Sequence, residues 1–236
     1  MEQRDVFSAG RPGLSTEELL RCFADAARPG RRFAPQGPQG RAAPPGRGKA
    51  ARPRGDHDLN PDLYDPEREL IPAAVLVPIV ERDKGLTVLL TRRSVHLYDH
   101  AGQISFPGGR IEPGDDGPEA AALRETEEEI GLPRAHVRLV GRLDTYVTRT
   151  AFEVTPAVGL ISPPFPLAPD RFEVAEVFEV PLAFLLAPGN RQRHSRPYQD
   201  KERHFYAFAY KDYYIWGATA GMLVNLAEVL CADASG

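Results

Sequence analysis

Gly108-Gly109-Arg110-Ile111-Glu112-Pro113-Gly114-Asp115-Asp116-Gly117 runs directly into Pro118-Glu119-Ala120-Ala121-Ala122-Leu123-Arg124-Glu125-Thr126-Glu127-Glu128-Glu129-Ile130, followed by Gly131-Leu132. The second part reads as an α-helix over 118–130. Proline suits a first helical position, glycine suits the residue just past a helix end, and Ala122, Thr126 and Ile130 recur at helical spacing as a core stripe. A helix turns about 100° per residue, which stacks Glu125 and Glu129 one turn apart. Glu128 falls on the same side and Glu127 points nearly the opposite way.

Like charges at this spacing repel by a few tenths of a kcal/mol per pair on an exposed helix, and burying them costs far more. A cation between them removes that penalty. Hard divalent ions such as Mg²⁺ or Mn²⁺ take oxygen ligands, so Glu125, Glu128 and Glu129 form a candidate metal site. A solvated acidic helix face is the plainer alternative. The glycine pair ahead of the helix favours the metal, because Gly108-Gly109 lets backbone approach a ligand closely, and the Gly109 backbone is a candidate ligand too. Arg124 adjoins the cluster and is expected to orient the glutamates by ion pairing.

Upstream, Ile71 to Val80 and Leu86 to Thr91 read as a β-hairpin, and Ile104 to Phe106 as a short extended piece. Downstream, Val137 to Val147, Glu153 to Ile161, Glu176 to Val180 and His204 to Tyr210 read as strands. A short helix is expected at 182–186 and an amphipathic one at Gly217 to Leu230, with Ala218, Met222, Leu226 and Leu230 on one face. Strands before, between and after helices predict an α/β sandwich with a mixed sheet. Near the start, Ser15-Thr16-Glu17-Glu18 is a capping box that begins a helix at about 16–27. From Pro29 to Gly55 proline, glycine and arginine dominate and large apolar residues almost vanish, a composition that cannot offset its own ordering entropy. The expected organisation is a helical segment at 1–28, a disordered basic linker at 29–55 and one folded domain at 56–236.

The net charge of −4 makes no general case for nucleic-acid binding, and no apolar run is long enough to span a bilayer. Cys22 and Cys231 form neither a disulfide framework nor a metal spacing, and the first ten residues lack an apolar signal core. These features predict a cytoplasmic protein whose partner is a small molecule, with no nucleic acid and no membrane; they say nothing of its oligomeric state.

Arg124-Glu125-Thr126-Glu127-Glu128-Glu129-Ile130-Gly131-Leu132 resembles the second half of the Nudix box, G-x(5)-E-x(7)-R-E-U-x-E-E-x-G-U with U apolar. The first half departs from it: counting from Gly109, the first acid is Asp115, and its gap to Arg124 is one residue longer than the pattern. Leu89-Leu90-Thr91-Arg92-Arg93-Ser94 with His100-Ala101-Gly102-Gln103-Ile104-Ser105-Phe106-Pro107-Gly108-Gly109 resembles the motif upstream of that box in coenzyme A diphosphatases, although Tyr98 stands where those proteins usually carry arginine. Ile215 to Ala220 also looks like the end of that group. The resemblance covers about residues 56 to 232.

It implies a Nudix-type α/β/α sandwich and Mg²⁺- or Mn²⁺-dependent hydrolysis of coenzyme A or its esters to 3′,5′-ADP and 4′-phosphopantetheine products. Glu125, Glu129 and Glu128 are then metal ligands, Glu128 a candidate general base and Arg124 its positioning partner, with Glu173 and Glu176 as bases from outside the helix. Arg92 and Arg93 are candidates for holding phosphates, and His100 and Gln103 for lining the pocket. For Tyr206, Phe208, Tyr213 and Trp216, core packing is the better expectation than stacking on adenine. The rival readings are a Nudix enzyme of another nucleotide, such as ADP-ribose or a dinucleoside polyphosphate, a non-catalytic nucleotide-binding regulator, and a partner-binding protein acting through its basic linker.

Overall fold

Ile71–Val80 and Phe152–Ile161, two long apolar runs, lie side by side as parallel strands paired from Ile71↔Phe152 to Val80↔Ile161. Parallel strands are usually covered on both faces, which is why neither run alternates cleanly between apolar and polar. Around this pair the computed structural model describes residues 13–26, 53–63, 65, 67–95, 101–198 and 201–231. In chain order the elements are α1 (Thr16–Ala26), β1 (Arg54–Gly55), β2 (Ile71–Val80), β3 (Thr87–Arg93), β4 (Ile104–Ser105), β5 (Gly108–Arg110), α2 (Pro118–Ile130), β6 (Val137–Arg142), β7 (Tyr146–Val147), β8 (Phe152–Ile161), β9 (Val174–Pro181), α3 (Leu182–Leu186), β10 (Gln192–Tyr198), β11 (Lys201–Tyr210), β12 (Tyr213–Trp216) and α4 (Ala218–Cys231).

Among the described residues the main sheet is mixed, ordered β1-β7-β8-β2-β3-β4, with β5 on β2, β6 on β8 and β9 on β3. Side chains alternate across it. Ala74, Leu76 and Leu89 pack with Ala121, Ala122 and Ile130 of α2 on one face. Val77, Val88 and Leu90 pack with Leu19 and Phe23 of α1 and with Leu223 and Leu226 of α4 on the other. The result is the expected α/β/α sandwich with a mixed sheet. The capping box also forms, with the Glu18 amide donating to Ser15 Oγ at 3.2 Å and the Ser15 amide to Glu18 Oε2 at 2.8 Å.

Several boundaries differ from the sequence reading, each for a tertiary reason. Arg54–Gly55, placed in the linker, pairs in parallel with Tyr146–Val147, while 27–52 lie outside the described residues. The single strand expected over Val137–Val147 is two, because the Asp144 amide turns away to donate to Asn225 Oδ1 of α4 at 2.9 Å. The last helix is buried nearly all round rather than on one face, since β11, β12 and α1 pack around it. Strand β11 belongs to a second, three-stranded sheet whose outer members, β10 and β12, the sequence did not announce. No helix among the described residues is long and apolar enough to cross a membrane.

Candidate active site

Helix α2 carries the site, and its ends are fixed as the sequence requires. Pro118 follows Gly117 (φ 95°), and Gly131 (φ 66°) caps the other end, its amide donating to the Glu127 carbonyl. Thr126 and Ile130 are buried against the sheet, which turns Glu125, Glu128 and Glu129 toward its rim. Glu127 does point elsewhere, pairing with Arg134 at 2.6 Å.

Glu129 is only 6% exposed. Its Oε2 accepts a hydrogen bond from the Gly108 amide at 3.2 Å. Burial pushes its carboxyl up to about 7, with the Gly108 bond and the nearby Arg93 charge pulling the other way and Glu173 and Glu125 adding to the rise. Burial also raises Glu125, against the pull of Arg124. Glycine at 109 has a spatial reason: a Cβ there would stand 2.5 Å from the Glu125 carboxyl carbon. Gly108 needs both freedoms, because its φ is +149° and a Cβ would strike the Ala74 carbonyl oxygen and the Val75 backbone.

Arg124 organises the group. Its Nε and Nη2 donate to the two oxygens of Asp115 at 2.9 and 3.0 Å. Its Nη1 donates to Glu125 Oε1 at 3.0 Å and to Glu128 Oε2 at 3.1 Å, and Nη2 also reaches the Arg110 carbonyl. The guanidinium holds the Asp115 carboxyl below the usual aspartate range. Asp115 in turn accepts from the Glu112 amide at 2.8 Å, closing the one-residue-longer loop. The first acid is therefore the anchor of Arg124, whereas Asp116 is exposed.

The other candidates separate by strand alternation. Arg93 lies on the α2 side of β3 within electrostatic reach of Glu129, and its buried Nε has no hydrogen-bond partner among the described residues. Arg92 points to the opposite side, 3.4 Å from Glu176 and over the Tyr213 ring at 5.0 Å. Glu176 also accepts from the Tyr213 hydroxyl at 2.6 Å. The structure thus sets Arg92 and Glu176 apart from the carboxylate cluster. Gln103 adjoins Arg93 through its backbone, its carbonyl accepting from the Arg93 amide at 2.9 Å. His100 lies outside the described residues. Phe208 is core, and Tyr213 stacks flat on Phe178 with centroids 3.7 Å apart.

Glu173 is the base candidate that the fold does bring close, since its charge acts on both Glu125 and Glu129. The turn that carries it is tied to the helix, with the Asp170 amide donating to the Glu129 carbonyl at 2.9 Å. Nothing in the local sequence signals that long-range bond.

Among the described residues no three histidine, cysteine or acidic side chains converge into a ready metal shell, and Arg124 engages an oxygen of Glu125 and another of Glu128. The donor set still fits a hard divalent ion: it is all oxygen, and Glu129 is a buried carboxylate that gains from a positive partner. A separate cavity of about 750 Å³ beside β1, β7 and α4 contains none of these residues. The carboxylates on its wall are largely paired, Asp144 and Glu228 with Arg54 and Asp56 with Tyr146.

Comparison with known proteins gives the family. Residues 70–201 match the NUDIX domain. The Escherichia coli (strain IAI39) protein described as uncharacterized Nudix hydrolase NudL is 45% identical over 157 residues, covering 66% of this chain and 80% of that protein. Among solved structures, a Caenorhabditis elegans Ap4A hydrolase binary complex aligns with a TM-score of 0.42 at 22% identity, covering 47% of this chain and 80% of that one. An Enterococcus faecalis MutT/nudix family protein aligns with a TM-score of 0.44 at 15% identity, covering 72% and 65%. The chain belongs to the Nudix family and is a Nudix hydrolase.

Proposed function

We propose that the substrate is coenzyme A or a CoA ester, cleaved at its diphosphate into 3′,5′-ADP and a 4′-phosphopantetheine product. One observation carries this reading. The two arms of the CoA-type segment, 89–94 and 100–109, are bonded to each other beside the carboxylates through described residues: the Gly102 amide donates to the Arg93 carbonyl, the Arg93 amide to the Gln103 carbonyl, and the Gly108 amide to Glu129. That this segment, through Arg93, Gly102, Gln103 and Gly108, runs beside the carboxylates supports the CoA reading.

Glu125, Glu129 and Glu128 would hold Mg²⁺ or Mn²⁺, with Gly109 leaving room beside Glu125. Such an ion supplies charge neutralisation at the diphosphate and acidifies an attacking water. Arg93 offers its buried donor to a phosphate oxygen. Gln103 and His100 are proposed to line the pocket. Arg124, anchored on Asp115, keeps Glu125 and Glu128 in place. Glu128, the more exposed glutamate, takes the proton from water as its oxygen adds to phosphorus and the bridging P–O bond breaks. Glu173 is a second candidate for that proton, favoured by its position opposite the helix.

The test is a substrate panel. The protein is incubated with CoA, ADP-ribose and diadenosine polyphosphates in Mg²⁺ or Mn²⁺, and the products are identified by mass. 3′,5′-ADP from CoA as the fastest reaction supports the proposal. Faster cleavage of ADP-ribose rejects it.

A further inference from the structure

Phe172 and Val95 are 85% and 69% exposed, more than any other large apolar side chain among the described residues. They share one place. The Ser94 amide donates to the Glu173 carbonyl at 2.8 Å, so the residue before Val95 is bonded to the residue after Phe172. That place is the rim of the carboxylate site: Val95 is two residues from Arg93, and Phe172 is next to Glu173, whose charge acts on Glu125 and Glu129.

The backbone that carries Phe172 is hydrogen-bonded on both sides. Asp170 Oδ1 accepts from the Phe172 amide at 2.8 Å. The Asp170 carbonyl accepts from the Glu173 and Val174 amides at 3.1 and 2.8 Å, and the Asp170 amide is bonded to Glu129. The ring is therefore mounted on a closed turn that is itself fastened to the catalytic helix. Leaving a phenylalanine in water forgoes its burial, and an apolar pair beside charged groups marks a contact surface.

We propose that Phe172, flanked by Val95, is the surface on which the base of the nucleoside diphosphate substrate stacks. A flat base can overlap one open ring face and gain most of the available contact. A flexible pantetheine arm would have to be ordered against the same open face while its other side stayed in water. The assignment rests on the hydrolase reading only in requiring a base beside the diphosphate. It does not require that the substrate be CoA.

Calorimetric titration of the full chain in Mg²⁺ tests it, with ADP, 4′-phosphopantetheine and inorganic pyrophosphate as probes. Phe172→Ala should weaken ADP about tenfold and leave pyrophosphate unchanged, while Phe172→Tyr binds ADP like the wild type. In turnover, the alanine variant should show a KM raised about tenfold for any adenine substrate at an unchanged kcat. Unaltered ADP affinity in Phe172→Ala, no ADP binding by the wild type, weakening of 4′-phosphopantetheine in place of ADP, or equal weakening of pyrophosphate would each overturn the proposal. A chain that prefers ADP-ribose to CoA but loses ADP binding in Phe172→Ala would refute the CoA reading and uphold this one.

Discussion

Arg124 and Asp115 form a two-point ion pair, with Nε and Nη2 of the arginine set against the two carboxylate oxygens at 2.9 and 3.0 Å. The pair joins the later part of the loop ahead of α2 to the middle of the helix and leaves Nη1 for Glu125 and Glu128. Asp115→Asn keeps the size of the side chain but removes its charge. Turnover should fall about 10- to 100-fold, with more Mg²⁺ needed for half-maximal rate. Arg124→Lys should behave similarly, because an ammonium cannot reproduce the paired contact. Rates measured across a Mg²⁺ series check both.

Glu129 sets a pH dependence. Burial moves its carboxyl from an ordinary 4.5 up to about 7, so between those values the folded state binds more protons than the unfolded one. Folding stability from this group is then greatest below pH 4.5 and declines as pH rises toward 7. The shift corresponds to a loss on the order of 3 kcal/mol in metal-free protein. Glu129→Gln should accordingly raise the metal-free Tm at pH 8, and the difference from wild type should close toward pH 4.5. Thermal melts in a chelator read it directly. Because a ligand must shed its proton, divalent-ion affinity should rise over the same interval.

The two glycines should fail differently. At Gly108 an added methyl meets backbone of β2 in a left-handed conformation, so Gly108→Ala should cost several degrees of Tm. At Gly109 the nearest atoms it meets are those of the Glu125 carboxylate, the end of a side chain rather than backbone. Gly109→Ala should therefore melt close to wild type yet lose most of its turnover. Melting curves beside initial rates separate the two.

Arg93 and Arg92 are neighbours in sequence but lie on opposite faces of β3. Arg93→Gln should raise KM for a diphosphate substrate by about tenfold, the scale of one charge-assisted contact. Arg92→Gln removes a partly exposed pairing with Glu176 and should leave KM near wild type. Michaelis curves for both variants decide it.

How much of this the sequence disclosed follows from the range of the forces involved. Helix α2 and its stacked glutamates were legible because periodicity, an initial proline and a terminal glycine are local signals. Asp115 was ambiguous by motif spacing, and only its contact with Arg124 gives it a role. Strand β10 was not legible because six of its seven residues are exposed, so no alternation of burial marks it. The break at Asp144 and the turn at Asp170 depend on partners far along the chain, Asn225 and Glu129, which no window of neighbouring residues contains.

The most direct test of the carboxylate site is the rate of 3′,5′-ADP release from CoA at saturating Mg²⁺ for wild type, Glu128→Gln and Glu129→Gln. The account predicts turnover by the wild type and losses of at least about 100-fold in both variants, which should still fold. Wild-type rates in both variants would contradict it.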